Sequence, residues 1–156
     1  MRKNNKAVEQ ASVVVCDIDG TIAKVGERRA AMLLQERPDW NAFYKDAFDD
    51  EPIENVCGLV RHMAKSHRIV FCTSRRASVR RKTQHWLREH LDVASFPHGY
   101  DLLMRGNGDE RPDTQVKPDL LRRRRMAPDS VLCIFEDSRD MVRAWTEEGY
   151  TCIKVA

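Results

Sequence analysis

Apolar and polar positions along the chain fall into short unbroken runs and longer helical stripes. Val13-Val14-Val15-Cys16, three β-branched residues and a cysteine, reads as a strand buried on both faces, within residues 12–18. Ile69–Thr73 and Val131–Phe135 have the same character, Tyr100–Met104 is a weaker strand, and Cys152–Val155 is the last one. Between the strands, apolar residues return at helical spacing. Val56, Leu59, Val60 and Met63 form one stripe, Val79, Thr83, Trp86, Leu87 and Leu91 a second, and Met141, Val142 and Trp145 a third, which Gly149 stops. Residues 105–116 read as a loop with a Gly106-Asn107-Gly108 turn, after which Pro118 is expected to open a short helix carrying Leu120 and Leu121. This alternation predicts an α/β fold: an open, mostly parallel five-stranded sheet with helices on both faces and right-handed crossovers.

Residues 22–53 follow no single period. They hold a short helix around residues 30–35 and the aromatic group Trp40, Phe43, Tyr44 and Phe48. Coming directly after the first strand, this segment is expected to be a small lid or cap. Residues 1–11 are polar and expected to be a disordered tail, leaving 12–156 as a single domain.

Charge sharpens the picture more than bulk composition does. Charged residues make up 33% of the 156, with a net charge of only +3, but arginines cluster at Arg28-Arg29, Arg75-Arg76, Arg80-Arg81-Lys82 and Arg122–Arg125. Several such clusters favour an anionic partner. The five cysteines form no Cys-x-x-Cys pair, and Cys16, Cys72 and Cys133 lie inside expected strands. They read as small core residues in a reducing compartment. With no long apolar segment and no signal-peptide pattern, the expectation is a cytoplasmic chain with no membrane span. No protein partner is readable.

Polar residues gather where the expected strands end, which is where open parallel sheets bind ligands. The first strand ends in Asp17-Ile18-Asp19-Gly20-Thr21, the second in Thr73-Ser74-Arg75, and the fourth in Glu136-Asp137, with Lys117 ahead of the latter. Two carboxylates at a buried strand tip are costly unless a cation offsets them. A divalent cation beside a phosphate answers that need, and Mg²⁺ is the usual partner of oxygen ligands and phosphoryl groups. Carboxylates, a hydroxyl and a lysine together form the inventory for phosphoryl transfer through an aspartyl-phosphate.

In this order, Asp17-x-Asp19-Gly20-Thr21, Thr73, Lys117 and Glu136-Asp137 with Asp140 resemble the four motifs of the haloacid dehalogenase (HAD) phosphatase superfamily. A closer resemblance, from Val13 to Val155, is to the 3′-phosphatase domain of bacteriophage polynucleotide kinase/phosphatases. It is carried by Asp39-Trp40-x-x-Phe43, Ser74-Arg75, Trp86-Leu87, Met104-Arg105 through Gly108-Asp109, Arg111-Pro112-Asp113 and Val116-Lys117. The resemblance implies Asp17 as nucleophile, Asp19 as proton shuttle, Thr73 and Lys117 as catalytic partners of the phosphate, and Arg28, Ser74, Arg75 and Asp113 as substrate contacts. It implies Mg²⁺ held by Asp17, the Asp19 backbone carbonyl and Asp137, with Glu136 and Asp140 as auxiliary acids. The implied substrate is a phosphorylated nucleic-acid end or nucleotide, above all a polynucleotide 3′-phosphate in end repair.

The sequence departs from these relatives in three respects. No Gly-x-x-x-x-Gly-Lys-Ser/Thr loop of a kinase half occurs in these residues, Glu136 stands where Asp is usual, and Ser74 stands where Gly is frequent. Other readings stay open. One is a phosphatase of nucleoside monophosphates or sugar phosphates. More remote are a non-catalytic phosphoacceptor module, which would carry its adjacent acidic pair on the first strand, and a plain nucleic-acid binder, which would leave the carboxylates unexplained.

Overall fold

The structure, a computed structural model, describes residues 12–45 and 47–155, with backbone alone at residues 28–30, 33 and 41. The expected tail, residues 1–11, and the terminal Ala156 lie outside the described residues. Five strands, β1 (Val13–Cys16), β2 (Arg68–Arg76), β3 (Tyr100–Arg105), β4 (Val131–Glu136) and β5 (Cys152–Lys154), form one sheet in the order β3-β2-β1-β4-β5. Every pairing between them is parallel. Chain order reverses between β1 and β4, so the crevice beyond their carboxyl ends is the switch point of the sheet.

Helices α3 (Glu54–Met63) and α4 (Arg80–Leu91) cover one face, and α5 (Asp113–Arg123) and α6 (Arg139–Glu147) cover the other. The period-two alternation of the strands divides the core accordingly. Val14, Cys16, Ile69, Phe71 and Phe135 pack with Cys57, Val60, Trp86, Leu87 and Leu91. Val15, Val70, Cys72 and Ile134 pack with Leu121, Met141 and Trp145. Because both faces are covered, the strands need apolar residues at consecutive positions, which is why they appear as unbroken runs. All five cysteines are free thiols, and Cys16, Cys57, Cys72 and Cys133 are buried.

The helix ends follow local chemistry. Ser138 caps α6 by accepting from the Met141 N–H at 3.4 Å, and Gly149 takes φ +89° just beyond it, a conformation that suits glycine. The helix expected to start at Pro118 instead begins at Asp113, with Pro112 before it and Pro118 in its interior. The expected loop 105–116 is correspondingly shorter, because Arg105 still belongs to β3. Proline is favoured at helix starts but can be held inside a helix when packing outweighs the lost N–H bond, and Pro118 is buried between Lys117 and Leu121.

Residues 22–53 contain α1 (Gly26–Leu33) and α2 (Trp40–Lys45), so the first helix starts earlier than the expected 30–35. The two ends of this excursion are tied together at its base. Lys24 N donates to Glu51 O at 2.9 Å and Ile53 N to Ile22 O at 2.7 Å. Val25, Met32, Phe43 and Tyr44 make a small apolar cluster of their own. Trp86, from α4, donates its indole N–H to the Asp50 carbonyl at 2.9 Å and so fastens the base of the excursion to the sheet layer. No helix among the described residues is long and apolar enough to cross a membrane.

Trp86 is 1% exposed. Trp86→Ala is expected to lower unfolding free energy by about 3–5 kcal/mol. Trp86→Phe, which keeps most of the ring volume but leaves the Asp50 carbonyl without its donor, is expected to cost about 1–3 kcal/mol. Urea unfolding of the two variants measures both, and a Trp86→Phe protein as stable as the wild type would show that the indole N–H adds nothing.

Candidate active site

Asp17 follows β1 directly, and its backbone N–H donates to the Phe135 carbonyl of β4 at 3.0 Å, extending the sheet contact to the strand tip. Its carboxylate is buried. Lys117 Nζ donates to Asp17 Oδ1 at 2.7 Å and to Glu136 Oε2 at 2.8 Å, and Thr21 Oγ1 donates to Asp17 Oδ2 at 3.1 Å. Thr21, itself fully buried, also lies 3.5 Å from Asp137 Oδ1. Lys117 is a buried ammonium whose charge is matched by two carboxylates on neighbouring strand ends. Burial works to lower its pKa, but Asp17 and Glu136 outweigh it and hold the pKa well above the ordinary lysine value.

Asp17, Glu136 and Asp137 each bring a carboxylate oxygen within 4.8 Å of the others. Burial first, and then the charge of Glu136, push the Asp17 carboxyl up to about 8, against the pull of Lys117. Three carboxylates around one ammonium leave an excess of negative charge that a hard divalent cation would offset. Glu136 is turned to Lys117 and to the Ser138 N–H, whereas Asp17 Oδ2 and Asp137 Oδ1 meet at the Thr21 hydroxyl, which makes Asp17 and Asp137 the pair best suited to such a cation. The turn after β1 is shaped for this: Gly20 has φ +90°, and a Cβ there would lie 2.2 Å from Asp137 Oδ2. Only a residue without a side chain lets the two strand ends come this close.

Asp19 faces another way. Arg75, 0% exposed, donates Nε to Asp19 Oδ2 at 2.9 Å and Nη2 to Asp19 Oδ1 at 2.8 Å, a two-pronged pair that only a guanidinium can make. Asp50 lies 3.9 Å from the same guanidinium, and the Phe48 ring sits 5.9 Å from its centre. Arg75, expected from the resemblance to touch substrate, is thus enclosed and holds Asp19 instead. Thr73, also 0% exposed, accepts from the Arg75 N–H at 3.2 Å.

A cavity of about 230 Å³ opens over these groups, with Asp17, Asp19, Lys117, Glu136 and Asp137 on its floor and Met32, Trp40, Phe43 and Tyr44 on its opposite side. Ser74 and Asp113 stand on its wall. The Ser74 hydroxyl is buried and has no hydrogen-bond partner among the described residues, a polar atom placed to meet an acceptor or donor at the cavity edge. Asp113 opens α5 one turn before Lys117, so the two share a helix face. It pairs with Arg105, which also donates to the carbonyls of Asp109 at 2.8 Å and Arg111 at 2.7 Å. Asp140 is exposed and pairs with Arg143 at 3.3 Å, outside the carboxylate group. Arg28 falls on α1, and its side chain lies outside the described residues.

Three participants were not singled out from sequence. Thr21 stands inside the acidic motif, but its bond to Asp17 depends on the turn at Gly20. Arg105 ends β3, and the rule that pointed to the other strand ends points equally to it. Asp50 comes from the aperiodic segment and carries no sequence signal.

Comparison with known proteins fits this geometry. Residues 11–156 match the family model described as the polynucleotide kinase PNKP phosphatase domain. No curated protein matches the chain. Among solved structures, a chain in a Pnkp1/Rnl/Hen1 complex is similar at 26% identity and TM-score 0.70 over 95% of this chain. This chain spans only 47% of that one, and 43% of its counterpart in the Pnkp1/Rnl/Hen1 RNA repair complex. A haloacid dehalogenase-like hydrolase from Streptococcus pneumoniae (15% identity, TM-score 0.63, covering 94% of this chain and 85% of that one) shares the fold. So does the HAD-hydrolase YfnB from Bacillus subtilis, solved bound to magnesium (12% identity, TM-score 0.62, covering 93% and 88%). With its all-parallel sheet and its carboxylates at the switch point, this chain belongs to the family of the PNKP phosphatase domain, and is a HAD-superfamily phosphatase.

Proposed function

We propose that the protein is a Mg²⁺-dependent phosphomonoesterase that removes 3′-phosphates from polynucleotide ends through a phosphorylated Asp17. The observation that carries this reading is the buried Lys117 held between Asp17 and Glu136, with Asp19 two residues along and opening on the same cavity. The family match supports the substrate class, since the matching model is that of a polynucleotide kinase's phosphatase domain.

In this reading Asp17 attacks phosphorus, a P–O bond to its carboxylate forms, and the bond to the 3′-oxygen breaks. Asp19 gives that oxygen a proton and afterwards takes one from the water that releases phosphate. To carry the proton, the Asp19 carboxyl must let go of one Arg75 N–H. Arg75 is therefore a positioning residue that fixes where the shuttle stands. Lys117 and Thr21 keep the Asp17 carboxylate oriented, while Lys117 and the Ser74 hydroxyl offset or bind phosphate oxygens. Asp17, the Asp19 carbonyl and Asp137 are the residues that would hold Mg²⁺, which when bound supplies charge neutralisation between the nucleophile and the phosphate. Residues 22–53 act as the lid of a single domain, and Met32, Trp40, Phe43 and Tyr44 keep water from the chamber.

Asp17→Asn is expected to abolish phosphatase activity with the fold retained. Asp19→Asn is expected to lower kcat by about 10²–10⁴-fold. Steady-state kinetics with a 3′-phosphorylated oligonucleotide, beside 3′- and 5′-mononucleotides and sugar phosphates, tests both the roles and the substrate. Wild-type turnover by Asp17→Asn would sink the mechanism, and preference for a sugar phosphate would replace the substrate.

Metal binding should also be linked to pH. The Asp17 carboxyl, pushed up by burial and by the charge of Glu136, takes a proton more readily than a free aspartate, so a cation competes with that proton. Apparent Mg²⁺ affinity is therefore expected to rise with pH through neutrality and to level off above about 8. Calorimetry in buffers of different ionisation enthalpy is expected to show proton release at pH 7. Binding without proton release, and without pH dependence, would contradict this.

A further inference from the structure

We propose that a groove leading from the reaction chamber over α2 to the exposed side of α4 seats the nucleotides on the 5′ side of the phosphorylated end. This rests on the polynucleotide reading above and adds the path of the strand. The chamber does not stand alone. A second cavity of about 240 Å³ shares Trp40, Tyr44, Ser74 and Asp113 with it. A third, of about 550 Å³, shares Tyr44 and Arg76 with the second. A fourth, wide and shallow at about 1080 Å³, shares Lys45, Ser78, Val79 and Lys82 with the third. Through these shared walls the four cavities follow one another from the carboxylates to α4.

The chemistry changes along this path. In the second cavity the cations are already committed: Arg76 to Glu110 at 2.5 Å, Arg111 to Asp109 at 2.7 Å, and Arg105 to Asp113. This part has fixed walls and little free charge. Trp40, 43% exposed and stacked on Tyr44 with centroids 6.3 Å apart, offers an aromatic face at the junction of the first two chambers, suited to a base next to the reacting end.

Further out the charge is available. Lys45, Arg81, Lys82 and Arg88 line the third and fourth cavities, and among the described residues no carboxylate lies within ion-pair distance of any of them. The Lys82 ammonium stands 4.9 Å from the centroid of the Phe48 ring. Asp39 and Asp49 are the acidic residues on these walls, and Asp39 Oδ1 accepts the Ala42 N–H of α2 at 3.1 Å. Arg80, in the same sequence cluster, is excluded: its Nη1 donates to the Leu102 carbonyl at 2.9 Å. The Arg122–Arg125 run is excluded by position, at the end of α5 opposite Asp113 and Lys117. From Arg81 to Arg88 the helix rises about 10 Å, the reach of about three stacked nucleotides. An aromatic step followed by free cations on a continuous path is how single strands are held without regard to sequence.

The test compares kcat/KM for a 3′-phosphorylated decamer and a 3′-mononucleotide, at 50 and 200 mM salt, in the wild type and in the variant Arg81→Ala/Lys82→Ala/Arg88→Ala, with circular dichroism and melting to verify its fold. Three phosphate contacts at a slope of about −0.7 each predict that the decamer value falls about 20-fold across that salt range, with little change for the mononucleotide. In the variant both the decamer's advantage and its salt slope are expected to shrink toward those of the mononucleotide. A variant that keeps both, or a wild type with no advantage for the decamer, would overturn the groove while leaving the 3′-phosphatase reading intact. Hydrolysis of neither 3′-phosphate, with activity on another phosphomonoester, would instead overturn the reading on which the groove rests.

Discussion

The site depends on one buried ammonium. Lys117 is the contact that lets Asp17 and Glu136 share the crevice between β1 and β4. Removing that ammonium would leave uncompensated carboxylates in a low-dielectric setting, which costs several kcal/mol. The fold is arranged to prevent that. α5 starts at Asp113, early enough to bring Lys117 to the strand tips, and its packing against β2 and β3 is kept although Pro118 interrupts the helix ladder. The same crevice brings Asp137 against the turn at Gly20, so Asp17, Lys117, Glu136 and Asp137 are set by two strand ends and one helix start.

A second pair, kept apart from the first, holds Asp19. Asp17 and Asp19 are two residues apart yet have different surroundings, one tied to an ammonium and a hydroxyl, the other gripped by a guanidinium. Two carboxylates with unlike neighbours can take unlike parts in a reaction, one as nucleophile and one as proton carrier. The separation follows from geometry: Gly20 turns the chain, and Arg75 reaches Asp19 from the far end of β2.

Much of this was readable in the sequence because burial on both faces leaves unbroken apolar runs, and polar residues interrupting such runs mark strand ends. Asp17, Asp19, Glu136 and Asp137 stand at strand tips as that rule expects, whereas Thr73 lies inside β2, which runs on to Arg76. Other features depend on long-range contacts that leave no local pattern. The start of α5 was misread because Pro118 looks like a helix opener, whereas Pro112 and the packing of Lys117 decide the boundary. Arg75 appeared as a cation free for substrate, since nothing local shows that Asp19 and Asp50 enclose it. Among the described residues, the apolar cluster that the excursion over residues 22–53 makes for itself is small, Val25, Met32, Phe43 and Tyr44, too little to impose a period, so its helices were placed poorly.

The central claim is that Asp17 carries the phosphoryl group between its two bonds. The most direct measurement is a rapid acid quench of enzyme mixed with a 3′-phosphorylated oligonucleotide and Mg²⁺, followed by peptide mass spectrometry. The account predicts a phosphoryl group on Asp17 that is lost on hydroxylamine treatment and absent from the Asp17→Asn protein. Phosphate on another side chain, or steady turnover in which water oxygen enters the product without any labelled Asp17, would contradict it.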